Sequence, residues 1–480
     1  SIVKNDLLFN KRENAIDYVH DQVDFVDFAL SQRIIPHKFS QIGPRMAKGD
    51  LNNDGMEDLI IGSTNKLPTT VLLRKGNGFE EAKFEGLTTQ KEFSESDLAI
   101  LDIDNDGDND VVTVAGGYEN KQESEYKHYL YENRNGTFIR TELPIPPFPA
   151  SVVRPCDFNH DGYMDLFVGS RVKKGMYPYA NHSYIIINDK GKLSVNSSSI
   201  LDLGMVTDAI WTDYDNDGWE DLLVARDWNS LVLLKNMNGK ELVPQNIPAL
   251  DEMHGIWYSL AAGDFNKDGY EDYIVGNLGD NHRFTVSDKY PLNLYAIDLD
   301  LDGTIDPLMT GYWKDKDGKM TEYPVNYLDE LWSQSTFFQK KFKDYTPFSY
   351  ASINDMLDEN ILKRLEFKLD VNTTSSYILW NEKGKFRWEK LPIPLQFSPI
   401  KKMIVGDFNG DGWPDVLIGG NDYSYDVSTG NYDANKGIVL LNKGDNRKKG
   451  EPAFDLLTPS QSGILLQGMV ESLLYFKGDT

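Results

Sequence analysis

Asp50-Leu51-Asn52-Asn53-Asp54-Gly55-Met56-Glu57-Asp58 is the stretch whose pattern decides the fold. The pattern, D-x-[DN]-x-D-G-x-x-D, returns from Asp102 to Asp110, Asp157 to Asp165, Asp213 to Asp221, Asp264 to Asp272, Asp298 to Asp306 and Asp407 to Asp415. Seven full matches in register mark an internal repeat, with starts separated by 52, 55, 56, 51, 34 and 109 residues.

The spacing carries a chemistry. Side-chain oxygens at positions one, three, five and nine, with a backbone carbonyl at seven, can converge on one hard cation, and the glycine at six permits the turn that wraps the chain around it. The first loop then offers Asp50, Asn52, Asp54 and Asp58 with the Met56 carbonyl, and the second Asp102, Asp104, Asp106 and Asp110 with that of Asp108. The third offers Asp157, Asn159, Asp161 and Asp165 with Tyr163, the fourth Asp213, Asp215, Asp217 and Asp221 with Trp219. The fifth offers Asp264, Asn266, Asp268 and Asp272 with Tyr270, the sixth Asp298, Asp300, Asp302 and Asp306 with Thr304, and the seventh Asp407, Asn409, Asp411 and Asp415 with Trp413. Oxygen donors without His or Cys select Ca²⁺ over zinc or copper, and Mg²⁺ prefers to keep several waters, so up to seven calcium sites are expected.

An EF-hand loop begins in the same way but needs an acidic residue at position twelve. Here that position holds Ile61, Thr113, Val168, Val224, Val275, Met309 and Ile418. Each loop instead runs into a short apolar, β-branched stretch such as Leu59-Ile60-Ile61, and follows another such as Leu98-Ala99-Ile100-Leu101. These read as buried strands. Two more strand-like stretches usually follow, as at Thr70 to Arg74 and from Phe79 onward. Four short strands in a period of about 50 residues describe a β-propeller blade, and seven loops predict seven blades.

The repeats resemble the FG-GAP/VCBS type, similar to the calcium-bearing blades of integrin α-chain propellers. The segment Phe39-Ser40-Gln41-Ile42-Gly43-Pro44 before Gly49-Asp50, and a helical insert ending at Tyr377-Ile378-Leu379-Trp380-Asn381, resemble the second propeller of large FG-GAP/VCBS proteins of Bacteroidota. Those are typically exported lipoproteins, so the resemblance implies a surface-exposed, outer-membrane-associated protein.

Two spacings are irregular. The 34-residue step from Asp264 to Asp298 reads as an abbreviated fifth blade, and the 109-residue step after Asp298 holds an insertion. Residues 326–368 show helical periodicity (Leu328, Leu331, Phe338, Met356, Ile361, Leu365) and read as a helical pair capping one rim or a docking element. Residues 1–36 read as a lead-in with a strand that helps close the ring, and 37–480 as the propeller. Pro307 directly after Asp306 disturbs the sixth loop.

The chain of 480 residues has 75 Asp+Glu against 49 Lys+Arg and a net charge of −26. Such acidity argues against nucleic acid and against an anionic membrane surface as partners. Of the 75 acidic residues, 24 stand at loop positions one, three, five and nine, so the charge is largely structural. No apolar stretch approaches the length of a membrane span. One cysteine, Cys156, excludes an intrachain disulfide, and calcium takes that stapling role. At affinities typical of extracellular modules, millimolar calcium would contribute about 1 kcal/mol per site. The first residues show no signal-peptide pattern, which fits a mature or truncated piece.

Catalytic signatures are missing. The seven His residues form no HExxH, and there is no GxSxG elbow or GxxxxGK[ST] phosphate loop. With calcium on the loops joining first to second strands, the opposite face carries the remaining loops and is the expected ligand face. Its candidates are Arg171, Arg226, Trp228, His254, Trp257, His282, Arg283 and Tyr423, with Trp228 the most suggestive as an exposed loop tryptophan. Trp219 and Trp413 are expected to pack between blades. The expected function is a non-catalytic scaffold binding a protein partner, by resemblance in an outer-membrane nutrient-uptake complex. The alternatives are a lectin-like glycan binder stacking sugars on Trp228 and Tyr423, and a calcium-dependent polysaccharide lyase using Arg226, His254, His282 and Arg283.

Overall fold

A computed structural model describes residues 7–11, 16–29, 32–89, 94–426, 429–448 and 451–476. Each Asp loop separates two antiparallel strands, because the apolar residues on either side alternate between neighbouring sheets and bury both faces. In the first blade Met46–Gly49 pairs with Asp58–Ile61, which pairs with Thr70–Lys75 and then Gly78–Ala82. The seven sheets expected, each built on four antiparallel strands in a row, are all present among the described residues. The fold is an all-β propeller, with Asp-rich loops and a small helical part.

Their placement is more particular than the repeat count discloses. Six sheets stand round one axis, their innermost strands being Met46–Gly49, Glu95–Leu101, Ala150–Cys156, Val206–Thr212, Ser259–Gly263 and Ile400–Gly406. Residues of four of these strands, with Arg45 just before the first and Tyr258 just before the fifth, line one central cavity. The seventh sheet, in the order Met320–Pro324, Asp306–Lys314, Leu292–Ile297, Phe367–Val371, carries the sixth Asp loop. It is nested inside the fifth blade, whose second strand Asp272–Gly276 pairs with Tyr377–Asn381 a hundred residues later. The fifth blade is therefore interrupted rather than abbreviated. An Asn side chain confirms the ring order: Asn442 of the last blade donates to the Phe265 carbonyl in the fifth blade's loop at 2.9 Å.

The insertion replaces the second-to-third strand loop of the fifth blade and so emerges on the face opposite the Asp loops. Five short helices (Leu328–Gln334, Thr336–Lys341, Tyr345–Phe348, Ile353–Met356, Glu359–Leu362), rather than a helical pair, pack Leu328, Leu331, Phe338 and Met356 against Ile297 and Leu308 of the nested sheet. The sheet's Leu292, Leu294 and Val371 share a second core with Tyr118, Tyr177, Trp228 and Leu278 from the blade loops and with Ile35 and Phe39.

No strand forms among the described residues of 1–36. Asp27 of that segment is fully buried and accepts from the amides of Phe39 (2.6 Å) and Ser40 (3.1 Å). The gap between the last blade and the first is filled instead by residues 466–476. The Val470 amide donates to the Gly420 carbonyl at 3.0 Å and the Ser472 hydroxyl to that of Pro44 at 3.1 Å. Glu471, 5% exposed, lies between Arg45 (3.1 Å) of the first blade and Lys401 of the last. Removing one partner of a buried ion pair leaves the other charge uncompensated, at about 3–5 kcal/mol. Glu471→Gln is expected to lower the unfolding free energy by about that amount, read as the urea midpoint. A midpoint equal to that of the parent would show that the seam is held by other contacts.

Candidate metal centres and the opposite face

The loops share one backbone form. Position four is left-handed in all seven (Asn53, Asn105, His160, Asn216, Lys267, Leu301, Gly410, φ 55–75° or close to it), and so is the glycine at six, as in Gly55 at 85°. Only glycine adopts that conformation at six without strain, and there the chain reverses. The amide of that glycine donates to the first aspartate in every loop, as Gly55 to Asp50 at 2.7 Å and Gly218 to Asp213 at 2.8 Å. The amide at position five donates to the side chain at one, and in the Asn loops also to the amide oxygen at three, as Asp54 to Asn52 at 3.0 Å. The sixth loop keeps the same form (Gly303 to Asp298, 2.9 Å) despite Pro307.

The ninth position does something else as well. Asp58, Asp110, Asp165, Asp221, Asp272, Asp306 and Asp415 are all at most 2% exposed. One carboxylate oxygen of Asp110 accepts from the Ile103 amide in its own loop at 2.9 Å, the other from the Asn133 amide on the third strand at 2.7 Å. Burial, with the neighbouring loop carboxylates adding, pushes Asp110, Asp165, Asp221 and Asp272 up to about 7 and Asp306 to about 6. Asp58 and Asp415 are raised for the same reason.

The residues fit a divalent cation. Carboxylate oxygens of Asp102, Asp104 and Asp110, of Asp213, Asp215 and Asp221, and of Asp298, Asp300 and Asp302 lie within 4.8 Å of one another. Oxygens on a shared ion at about 2.4 Å would be no farther apart than that. Buried oxygens of Asp165, Asp215, Asp221, Asp272 and Asp300 have no hydrogen-bond partner, which leaves lone pairs for a ligand. In the fourth loop the Lys235 ammonium bonds Asp215 and Asp217 (2.7 Å) and supplies positive charge at the rim.

Neighbouring loops are latched to each other. Asn53 Nδ2 donates to Asp108 at 2.6 Å, Asn105 to the Gly162 carbonyl at 2.8 Å and Asn216 to that of Gly269 at 2.7 Å. His160 stacks on Trp219 at 4.2 Å, and the Lys267 ammonium lies 4.1 Å from the Trp413 ring centre, so both tryptophans pack between blades. A second set of latches escaped the sequence reading. Asn188, Asn236, Asn381 and Asn442 end the third strands and donate to the carbonyl at loop position two of the preceding blade (Ile103, Phe158, Tyr214, Phe265) at 2.7–2.9 Å. The signal was present as Asn followed by Gly two or three residues on, since the glycine amide closes on the Asn oxygen, as Gly239 on Asn236 at 2.7 Å.

The residues expected on the ligand face are mostly spent on structure. Trp228, 1% exposed, lies beneath the nested sheet rather than at the surface, because the insertion covers it. Trp257 is fully buried, donates to the Asn229 carbonyl at 2.9 Å and stacks on Trp388. Arg171 pairs with Asp227 at 2.8 Å, and Arg226 donates to the Ser230 carbonyl at 2.9 Å. His254 bonds Asp370 at 3.1 Å, His282 bonds Thr374 at 2.8 Å, and Arg283 donates to the Val325 carbonyl at 3.4 Å. Arg283 and His254 open onto separate hollows, so the lyase quartet does not converge in one cleft. Of the eight, Tyr423, at 40%, and Arg283 are exposed. Burial pushes the Cys156 thiol up to about 12, which leaves it an inert strand residue.

The FG-GAP-like repeat model matches residues 50–113, 102–168 and 213–275. Among solved structures, BBS1N in complex with ARL6DN is 12% identical over 80% of this chain and 90% of its own, with TM-score 0.34. The V. cholerae biofilm matrix protein Bap1 is 11% identical over 88% and 89%, TM-score 0.33, and Saccharomyces cerevisiae Sqt1 is 9% identical over 80% and 93%, TM-score 0.33. Overlays this loose carry no functional weight. No curated protein matches the sequence. This chain is a β-propeller in which residues 50–168 and 213–275 match FG-GAP-like repeats.

Proposed function

We propose that this protein is a non-catalytic, calcium-stabilised binding module, acting outside the cytosol at a bacterial cell surface and presenting a rigid platform to a protein partner. The observation that carries it is seven loops held in one cation-ready form with only oxygen donors, four of them with a buried carboxylate oxygen unpartnered. Weak sites of this kind fill only where calcium is millimolar, which favours an exported setting. A repeat propeller of this type serves typically as a binding or scaffold element. The nutrient-uptake complex at an outer membrane is the setting that the sequence resemblance suggests. No helix among the described residues is long and apolar enough to cross a membrane.

The partner surface shifts from the blade loops to the insertion that covers them. Between the hairpin Asp306–Lys314/Met320–Pro324 and the short helices lies a groove of about 920 Å³. Trp313, Tyr323, Phe348 and Tyr350 line it with Arg283 and Asp355, and Tyr350 is 73% exposed. Aromatic and arginine side chains are the types that anchor protein interfaces. The same rings beside charged groups favour glycan binding as the second reading.

Chelation should remove several kcal/mol, since each site contributes about 1 kcal/mol at millimolar calcium. The melting temperature is expected to fall by about 10 °C or more in excess EDTA and to recover with calcium but not with magnesium. An unchanged melt would remove calcium from the account.

The pH response follows from the buried aspartates. Without a cation, Asp110, Asp165, Asp221 and Asp272 bind a proton near pH 7 in the folded chain but near 3.8 when unfolded. The folded state then holds more protons, so the cation-free protein gains stability as pH falls from 8 toward 6. Calcium, by keeping the carboxylates ionised, should abolish that gain. Melting temperatures at the two pH values, with EDTA and with calcium, check the sign.

Trp313→Ala with Tyr350→Ala should abolish capture of the partner from the protein's own membranes while leaving the melting temperature unchanged. Trp228→Ala should instead destabilise by about 3–5 kcal/mol, as expected for emptying a buried tryptophan site. Capture that survives the groove variant would move the docking surface elsewhere, and a variant that loses binding to a glycan array instead would favour the second reading.

A further inference from the structure

Where the six inner strands meet, the propeller encloses a cavity of about 120 Å³ with a charged wall. Most of that charge is matched. Asp97 of the wall is held from behind by Arg154, which also bonds Asp208 at 2.7 Å, and the lining Asp422 lies 3.7 Å from Lys401. Glu471 serves both Arg45 and Lys401, and Arg171 has Asp227. Lys402 differs, since among the described residues no carboxylate lies within 4.0 Å of its ammonium in any ion pair. Burial, together with the nearby positive charges of Arg45 and Arg154, holds that ammonium below its usual range, while Asp208 and Asp97 act in the opposite sense from farther away.

The same cavity has buried groups without partners. Arg45 Nε, Arg171 Nη1 and the Thr207 hydroxyl make no hydrogen bond, and all three residues line the space. Two of these can only donate, as can the Lys402 ammonium, and the hydroxyl can turn to donate as well. Water in such a place must give hydrogens as readily as it accepts them, and a water's share of volume is about 30 Å³. A single multi-oxygen acceptor meets these donors better than a few waters do, and charge-assisted hydrogen bonds to it are the stronger kind.

We propose that the central cavity is a binding site for one small oxyanion, with Lys402 supplying the charge and Arg45, Arg171 and Thr207 the further donors. Its volume admits a tetrahedral ion such as sulfate or phosphate, or a short dicarboxylate, and excludes a nucleotide or an oligosaccharide. The ion would touch the first, third, fourth and last blades at once, so its binding stabilises the closed ring by linkage. This site is independent of the partner surface and of the calcium rim.

The test is calorimetric titration of sulfate into the calcium-loaded full chain, at constant ionic strength set with chloride. One saturable site per chain is expected, weakened at least tenfold in Lys402→Met and retained in Lys402→Arg, with calcium binding unchanged in both. Should Lys402→Met not fold, Thr207→Val takes its place, and a melting temperature that saturates with sulfate in the parent but not in the variant gives the same answer. Succinate titrated in parallel separates a tetrahedral site from a dicarboxylate one by which binds more tightly. Heats that fail to saturate for both ions, or that are the same in the Lys402→Met protein, would overturn the proposal and leave the cavity to solvent.

Discussion

The structure hangs on one carboxylate per repeat, the buried aspartate that ends each Asp loop and begins the second strand. One oxygen holds an amide on the third strand in six of the seven, and in Asp58, Asp110 and Asp415 the other holds the loop's own second amide, as Asp110 does with Asn133 and Ile103. The loop is thereby folded onto its sheet before any cation arrives. The third-strand asparagine beside it reaches across to the preceding blade's loop, as Asn236 reaches the Phe158 carbonyl. Loop form, blade assembly and blade-to-blade contact therefore share a few atoms. A cation held at the same aspartates would tighten all three together.

That economy explains what was legible. A loop whose geometry needs aspartate at one, five and nine and glycine at six leaves a mark that any reading of the sequence recovers, and the flanking Leu59-Ile60-Ile61 type strands follow from it. The nesting of one sheet inside another was not legible. The sixth loop obeys the same local rule as the others, because its turn is set by Asp298, Asp302 and Gly303 alone. Which strands lie beside it is decided instead by what Leu294 and Ile297 on one side, and Leu328 and Phe338 on the other, can bury. The 34-residue step was the visible trace, and it shows a sheet inserted rather than a blade cut short.

Trp228 illustrates the same limit from the functional side. In the sequence it stands between polar residues, Asp227 and Asn229, and reads as an exposed loop residue. In the structure its strand runs on past the sheet to pair with Gly255–Ile256, and residues more than sixty positions away close over it. Local polarity predicts exposure only when nothing distant packs on the segment, and a hundred-residue insertion is the circumstance in which that fails. The Asn-x-x-Gly latches were missed for the opposite reason. They are local and repeated, but asparagine followed by glycine is also what an ordinary hairpin turn uses, so their second role across blades shows only in three dimensions.

The ends of the propeller now have different physical characters. At the loop rim, negative charge is concentrated, and Lys235 of the chain itself meets two of its carboxylates. At the opposite end, the insertion and residues 32–39 bury much of the blade loops in an aromatic core, and the insertion presents a groove of its own to solvent. Between the two, the cavity brings together Arg45, Arg171, Lys401 and Lys402 with the carboxylates of Asp97, Asp422 and Glu471, in a protein of net charge −26. A chain so acidic gains nothing in solubility by burying cations, and burying them costs desolvation that imperfect pairing does not return. Their placement at the point where the blades converge, with Glu471 fixing the seam, makes the centre rather than either face the place where the ring is held shut.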